Sequence, residues 1–409
     1  MSASIVRIKR SSRSTSSVSF NWTPFIYGLY PLIHILLARI RSCAAQRILD
    51  MGNRLVIVGG GYIGVELARA LETHMDVTLV EPRKEFVHAP AMLRSLVDPS
   101  VLNQALIPYD CVLKSGTVVA KRAKAVTGNA VVLDDDTNLP ADFIVLCPGA
   151  SNGGIFKPGD ENIDAFRAAQ GRVHGQIKAA KSIVLVGAGA VGTELAGEIA
   201  HAHPEKSVTL ISADPQLFPS QPPKLGRKLH QKLMGMGVDV VLGKRVTDLK
   251  STTEPYAGIV TLQDGKTIEA DLVIPAIGSR PVTDLFDSLP DVTKGDDGRV
   301  TVDEYLRPSS LPNVFAAGDA VDAGDAMTIV ATSRQQPWLA KTLKTLNAGK
   351  SLDSLKAYSP WKSAPILVPL GPIQGASFLV IATFGDWVTR MIKGRDLFIA
   401  KYRKLLGYG

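Results

Sequence analysis

The chain has 409 residues, of which 45% are hydrophobic and 21% charged. It is long enough for two or three domains with large cores, and this composition excludes a chain that is disordered throughout. The formal net charge is +8, but residues 1–52 hold seven Lys or Arg and one acid, and residues 384–409 hold six and two. The remaining body is slightly acidic, which argues against nucleic-acid binding.

The first 52 residues form an extension before the first predicted strand. They are basic and Ser-rich, with no acidic residue before Asp50, which is typical of organelle transit peptides. Within them, residues 25–37 are apolar and near the lower length for a membrane span, but Gly28 and Pro31 weaken a helix there. We expect a targeting peptide for the mitochondrion or another organelle. A membrane anchor, or an extension on a cytoplasmic or lipid-droplet-associated protein, is the alternative.

A first glycine fingerprint follows the apolar, β-branched run at residues 55–58. Gly59, Gly61 and Gly64 form the pattern Gly-x-Gly-x-x-Gly, which predicts a strand, a tight turn and a helix. The first glycine makes the turn, the second lets the backbone approach a pyrophosphate, and the third allows close helix–strand packing. Glu81 ends the next predicted strand, where an acidic side chain meets an adenosine ribose. These residues predict a dinucleotide site.

A second fingerprint follows another β-branched run, at residues 183–186. It consists of Gly187, Gly189 and Gly192. Ser212 stands where the first copy has Glu81, and this removes one reason to reject a 2′-phosphate. No arginine follows Ser212 closely, so NADH and NADPH both remain candidates. Two fingerprints, each between a predicted strand and a predicted helix, indicate an α/β protein with two Rossmann-like domains.

Three further strands predict how the two copies are connected. The first copy ends in a predicted strand before Gly149, and the second ends in one before Gly278. A later strand, at residues 313–317, ends in Gly318 and Asp319 and completes the first copy. We therefore predict that residues 53–155 and 280–345 form the first domain and that the second, residues 156–279, is inserted in it. Residues 346–409 form a small C-terminal α+β region.

The fingerprints, Glu81 and the Gly318–Asp319 pair together resemble the two-dinucleotide-fold flavoproteins, which include the glutathione-reductase-like enzymes. The resemblance implies non-covalent FAD on the first domain, with Glu81 on the adenosine ribose and Asp319 on the ribityl chain. It also implies NADH or NADPH on the second domain. Gly149 and Gly278 are further expected cofactor contacts. Cys147-Pro148-Gly149 departs from the usual Ala-Thr-Gly of that family.

The cysteines argue against disulfide reduction. Cys43, Cys111 and Cys147 are the only three, and none forms the closely spaced pair that a dithiol mechanism needs. Without a dithiol, the flavin itself is the expected electron relay, and the protein supplies orientation and electrostatics.

A narrower resemblance covers residues 53–400. Residues 86–88, 93–94 and 393–398 (Lys-Gly-Arg-Asp-Leu-Phe) resemble the apoptosis-inducing-factor-like and ferroptosis-suppressor-protein-type oxidoreductases. This implies reduction of a quinone, with Glu194 at the nicotinamide–flavin contact as the candidate catalytic residue. Charge complementarity at a helix N-terminus is the simpler role for Glu194. Monodehydroascorbate, a ferredoxin-type protein, or low-turnover signalling remain alternatives to the quinone.

Two segments near the C-terminus have open interpretations. Residues 331–336 resemble the Gln-bearing helix of type II NADH dehydrogenases, in which the residues matching Gln335 and Gln336 lie on the quinone side of the flavin. A plain surface helix explains them equally well. Farther on, a stripe at helical spacing predicts a basic amphipathic helix that lies on a membrane surface or packs on the protein's own core: Phe384, Trp387, Val388, Met391 and Ile392.

Overall fold

The computed structural model describes residues 53–151, 154–159 and 162–409. The predicted targeting or anchor extension, with its apolar residues 25–37, lies outside the described residues. Within the described part, none of the helices is both long and apolar enough to cross a membrane.

The strands follow in chain order: β1 (Arg54–Val58), β2 (Asp76–Val80), β3 (Glu85–Val87), β4 (Leu106–Pro108), β5 (Thr117–Val119), β6 (Ala123–Val126), β7 (Ala130–Leu133), β8 (Asn138–Pro140), β9 (Phe143–Leu146), β10 (Ala150–Ser151), β11 (Ser182–Val186), β12 (Ser207–Ile211), β13 (Val238–Val241), β14 (Tyr256–Thr261), β15 (Thr267–Pro275), β16 (Arg280–Pro281), β17 (Val300–Thr301), β18 (Val314–Ala316), β19 (Val321–Asp322), β20 (Ile366–Leu370), β21 (Gln374–Phe378) and β22 (Thr383–Phe384).

The α-helices follow in the same order: α1 (Tyr62–Leu71), α2 (Ala89–Ser95), α3 (Leu102–Ala105), α4 (Ile163–Ala179), α5 (Ala190–Ala202), α6 (Pro223–Gly235), α7 (Ile329–Thr332), α8 (Gln335–Asn347), α9 (Asp386–Thr389) and α10 (Ile399–Leu405). A π-helical turn, Arg390–Gly394, follows α9 directly.

Two sheets of five strands carry the two fingerprints. The first has the order β18-β9-β1-β2-β5, with all neighbours parallel. The second has the order β13-β12-β11-β15-β14, in which only β14 is antiparallel. The central strands β1 and β11 are fully buried apart from their first residues, which explains their unbroken β-branched sequences. The predicted α/β class with two Rossmann-like sheets is confirmed.

A three-stranded antiparallel sheet, β20-β21-β22, packs against α5. The contact is close because Gly197 lies inside α5, where a Cβ would come within 2.5 Å of the Leu370 Cα. A helix-interior glycine costs stability, and here it allows a strand backbone to approach. This packing brings the C-terminal region against the helix that begins at the second fingerprint.

The predicted C-terminal amphipathic helix is wrong at its start and in its form. Phe384 belongs to strand β22, and the helix begins only at Asp386 and continues as a π-helical turn. Three residues of the stripe are exposed, with Trp387 at 75%, Met391 at 59% and Ile392 at 38%. The alternative that this stripe packs on the core therefore does not hold for these three side chains.

Candidate functional site

Both fingerprints fold into the same strand–turn–helix geometry. Gly59 and Gly187 adopt φ values of +106° and +108°. An added Cβ would meet the Cys147 carbonyl oxygen at 2.3 Å in the first case and the Ala276 carbonyl oxygen at 2.6 Å in the second, directly after the neighbouring strands β9 and β15. A Cβ at Gly64 or Gly192 would lie 1.9 Å from the carbonyl oxygen of the first glycine. The turn and the close helix–strand approach therefore both require glycine.

The middle glycines lie in open space. Nothing comes within 4 Å of the position that a Cβ would take at Gly61 or Gly189, and each is the N-cap of its helix without a side-chain cap. The first-turn N–H groups of α1 and α5 are thus free of side-chain caps and have open space in front of the capping glycines. This fits a pyrophosphate, which takes backbone N–H donors at a helix N-terminus.

A cavity of about 110 Å³ adjoins the first fingerprint. Its lining includes most of the residues predicted on sequence grounds for this cofactor: Gly59, Gly61, Gly149, Gly318 and Asp319. These residues follow the ends of β1, β9 and β18, whose parallel arrangement places their carboxyl ends at one edge of the sheet. Ligands of open α/β sheets bind at this edge.

Glu81 lies at the end of β2 and is 1% exposed. Its carboxylate accepts a hydrogen bond from the Gly60 N–H at 2.7 Å and pairs with the Arg83 guanidinium at 2.8 Å. Burial alone would raise the pKa of Glu81, but Arg83 and the backbone donors outweigh it and lower the pKa. Glu81 is therefore a charged anchor of the fingerprint turn as well as the predicted ribose contact.

Two basic side chains that were not predicted from the sequence, Arg83 and Lys157, also line this cavity. Lys157 Nζ lies 3.7 Å from the Asp319 carboxylate and donates to the Ala150 carbonyl oxygen at 3.2 Å. Burial raises the pKa of Asp319, and Lys157 opposes this rise. Arg83 could have been identified from its position two residues after Glu81, whereas no local sequence pattern indicates Lys157.

Cys147 also lines this cavity, but its thiol is not a reactive group. It is 6% exposed, and its Sγ contacts the carbonyl oxygens of Val58 and Gly59 at 3.3 Å. Burial raises the pKa of the Cys147 thiol to about 12, so the thiol is protonated at neutral pH. A protonated, buried thiol is a poor nucleophile.

The second-domain residues occupy equivalent places. Ser212 follows β12 as Glu81 follows β2, and its hydroxyl accepts a hydrogen bond from the Asp214 N–H at 3.1 Å. Gly278, like Gly149, adopts a positive φ, and nothing lies within 4 Å of its Cβ position.

Glu194 lies in α5, just beyond its first turn, and is 5% exposed. Its Oε1 accepts from Lys393 Nζ at 2.6 Å, and this lysine belongs to the π-helical turn of the C-terminal region. Burial raises the pKa of Glu194, and Lys393 acts against that rise. The sequence marks Lys393 as the first residue of the resembling segment 393–398, but its pairing with Glu194 over 199 residues leaves no local signal.

This ion pair lines a small cavity of about 90 Å³, which we call the junction cavity. Its walls come from α2, α5, the α7 segment, β20 and the C-terminal region: Pro90, Ala190, Glu194, Thr328, Ile329, Val330, Pro365, Ile366, Leu367, Lys393 and Phe398. Ala89 of α2 and Thr332 of α7 line the first-fingerprint cavity. The junction cavity is therefore mainly apolar, with one buried ion pair, and it shares the helices α2 and α7 with the lining of the first-fingerprint cavity.

Gln335 is neither a surface residue nor a wall of the junction cavity. It is 1% exposed, accepts the Gly318 N–H at 2.7 Å through Oε1, and donates to Asp325 Oδ2 at 2.9 Å through Nε2. Its amide thus fixes the turn that carries Asp319. Gln336 donates at 3.4 Å to the Glu66 carbonyl oxygen, which ties α8 to α1.

Known proteins resemble this chain in sequence over most of its length. Apoptosis-inducing factor homolog B of Dictyostelium discoideum is 30% identical over 376 residues, covering 86% of this chain and 96% of that protein. Ferroptosis suppressor protein 1 of Homo sapiens is 27% identical over 366 residues, covering 85% and 94%. These relatives confirm the resemblance that the sequence predicted.

Solved structures with less than 25% identity show the same fold. The ferredoxin reductase for the CYP199A2 system of Rhodopseudomonas palustris is 19% identical, with a TM-score of 0.59 over 79% of this chain and 84% of that one. The water-forming NADH oxidase of Lactobacillus brevis, bound to NADH, is 20% identical, with a TM-score of 0.56 over 81% and 74%. A family model described as pyridine nucleotide-disulphide oxidoreductase matches residues 19–104 and 101–339. The chain therefore belongs to this oxidoreductase family, whose cofactors are the predicted FAD and NAD(P)H.

Proposed function

We propose that this protein transfers hydride from NAD(P)H to FAD and passes the electrons to a quinone-type acceptor. The observation that carries the proposal is the junction cavity, where the start of the second fingerprint helix meets a buried Lys393–Glu194 pair and apolar walls. A flat, apolar acceptor with polar oxygens matches such a lining. FAD, when bound, accepts hydride and releases electrons to the acceptor.

The binding and catalytic roles would be distributed over the chain as follows. Residues 53–155 and 280–345 would hold FAD, through Gly59, Gly61, Gly64, Glu81, Gly149, Gly318 and Asp319. Residues 156–279 would hold NAD(P)H, through Gly187, Gly189, Gly192 and Gly278. Glu194 would orient the nicotinamide, and Lys393 Nζ would hold a proton near the acceptor oxygen. Residues 346–409 would close the junction cavity.

Disulfide reduction is not supported, despite the name of the family. Of the two cysteines in the described part, Cys111 is exposed and Cys147 is buried with a protonated thiol. Neither has a partner cysteine in the described residues with which to take up an electron pair as a dithiol.

The acceptor is tested by steady-state oxidation of NADH and NADPH by the purified full chain with a panel of acceptors. The panel holds a short-chain ubiquinone, monodehydroascorbate, a ferredoxin-type protein and an oxidised disulfide. We expect the highest kcat/KM with the quinone. Higher values with any other member would reject the quinone, and no turnover with any of them would favour a low-turnover signalling role.

We further propose that an anionic membrane surface holds the protein near a lipid-dissolved quinone. Trp387 and Met391 are exposed beside Arg390 and Arg395, and an amphipathic surface of aromatic, apolar and basic side chains suits a membrane interface. The test is co-sedimentation with anionic vesicles. Trp387→Ser with Met391→Ser should reduce pelleting, whereas the matched pair Met234→Ser with Ile259→Ser, also exposed apolar residues, should not. Equal pelleting of all three proteins would reject this surface.

The extension also enters the proposal. We propose that residues 1–52 direct the protein to the mitochondrion, because they are basic and Ser-rich with one acid. A fluorescent fusion of residues 1–52 should enter mitochondria, and a fusion that stays in the cytoplasm would reject this role.

A further inference from the structure

Two consecutive residues with a left-handed backbone lie at the junction cavity, and the second of them forms part of its wall. Leu397 and Phe398 have φ values of +54° and +66°, and neither is a glycine. Leu397 is 1% exposed, and Phe398 lines the cavity together with Lys393. Side chains of L-residues disfavour this backbone region, so a strained turn of this kind persists only where its surroundings hold it.

His88, which is completely buried, is one of the residues that hold this turn. Its Nε2 lies 2.6 Å from the Leu397 carbonyl oxygen. A carbonyl oxygen only accepts, so Nε2 carries the hydrogen and donates it to the strained turn. Burial lowers the pKa of His88 to about 4, and the ring is therefore neutral at pH 7, with Nδ1 as an acceptor.

Tyr62 completes the arrangement. Its hydroxyl accepts the Ala89 N–H at 2.9 Å and lies 3.2 Å from His88 Nδ1. Since Nδ1 has no hydrogen, the hydroxyl donates to it. The rings of Tyr62 and His88 also pack against Tyr402, with centroid distances of 4.9 and 5.0 Å. Every polar atom of the His88 ring thus has a partner, and its tautomer is fixed.

We propose that Tyr62 and His88 are positioning residues that hold the Leu397–Phe398 turn, so that Phe398 and Lys393 stay in place at the junction cavity. Tyr62 directly follows Gly61 in the first fingerprint and lines the first cavity. This Tyr62–His88–Leu397 hydrogen-bond chain therefore connects the predicted FAD cradle to the junction cavity, where Glu194 would orient the nicotinamide. This inference rests on the proposed function for its kinetic consequence but not for its structural one.

The structural consequence is measured by amide hydrogen exchange over residues 393–405. His88→Leu removes the donor at similar volume, and exchange there should be about tenfold faster, as for the loss of one buried hydrogen bond. His88→Gln offers an amide donor at a similar reach and should restore slow exchange. His174→Leu is the matched control, because His174 also contacts a backbone carbonyl, Leu96 O at 3.0 Å, and should leave this segment unchanged.

The kinetic consequence is measured as single-turnover flavin reduction by NAD(P)H, without any quinone. His88→Leu should slow it while FAD content stays at the wild-type level. If His88 acts through the turn, His88→Leu combined with Phe398→Ala should be no slower than Phe398→Ala alone. Tyr62→Phe keeps the ring and removes only the hydroxyl, so it should show the same direction of change and serves if His88→Leu does not fold.

Three results would overturn the inference: unchanged exchange in both His88→Leu and Tyr62→Phe, no recovery with His88→Gln, or additive effects of His88→Leu and Phe398→Ala. Failure of the quinone proposal is separate, because neither measurement uses a quinone. If the enzyme does not reduce quinones but shows the expected exchange and flavin-reduction pattern, the role of Tyr62 and His88 stands and only the proposed acceptor is rejected.

Discussion

Lys393 donates a hydrogen bond to Glu194 over 2.6 Å, across 199 residues of sequence, and joins the C-terminal region to the N-terminal half of α5. Both side chains are nearly buried, at 12% and 7% exposure. A buried ion pair is costly to break, because the remaining charge is left without a partner. The pair therefore fixes the geometry of the junction cavity.

Removing one partner should destabilise the protein more than removing both. Lys393→Met leaves the Glu194 carboxylate buried and unpaired, and we expect a loss of about 3–5 kcal/mol in the free energy of unfolding. Lys393→Met with Glu194→Gln should recover a large part of this loss. Denaturant unfolding of the two variants decides the matter, and an equal loss in both would show that the pair is not electrostatically coupled.

Glu81 should determine FAD retention. Glu81→Ala removes charge-assisted bonds to the Gly60 N–H and Arg83, and we expect FAD affinity to fall by about 1.5–3 kcal/mol, or roughly ten- to a hundredfold. Flavin titration of the apoprotein measures this. Asp142→Ala, which breaks an exposed pair with Arg54, is the matched control and should bind FAD normally. Equal affinity in Glu81→Ala and wild type would contradict the assignment.

Ser212 should govern the choice between NADH and NADPH. It takes the place at the end of β12 that Glu81 takes at the end of β2. Ser212→Glu puts a carboxylate where a 2′-phosphate would lie, so KM for NADPH should rise about tenfold or more, with a smaller change for NADH. Ser212→Ala is the control for loss of the hydroxyl. If Ser212→Glu changes KM for NADH and KM for NADPH by the same factor, the adenosine ribose does not lie at this strand end.

The buried Cys147 thiol should make the folded protein less stable as the pH rises above 9. Its thiol pKa rises with burial from 9.0 to about 12, so between these values the folded state keeps a proton that the unfolded state releases. The contribution of the thiol to stability is complete below pH 9 and declines as the pH rises toward 12. Unfolding measured at pH 8 and at about pH 10.5 should show a smaller loss for Cys147→Ala than for wild type. Identical losses of unfolding free energy in wild type and Cys147→Ala would show that burial does not raise the pKa of the Cys147 thiol.

The fingerprints, the two sheets and the helices after them could be predicted because each depends on local spacing. Gly59, Gly61 and Gly64 specify a turn within six residues, and β-branched runs specify buried strands. The Lys393–Glu194 pair could not be predicted, because it depends on the close approach of α5 to β20 at Gly197, a contact between distant segments. Helical spacing also failed at Phe384, where pairing with Ser377 on β21 outweighs the local pattern.

The most direct test of the central claim is anaerobic double-mixing stopped flow on the full chain. The flavin band is first bleached with a stoichiometric amount of NADH and then mixed with a short-chain ubiquinone. We predict rapid bleaching, followed by recovery of the oxidised band at a rate at least equal to kcat. Gly189→Val should slow only the first phase, because it fills the second cradle and leaves the FAD cradle intact. A flavin that NADH bleaches but quinone does not reoxidise would contradict the proposed acceptor, and loss of the flavin itself in Gly189→Val would reverse the assignment of the two dinucleotide sites.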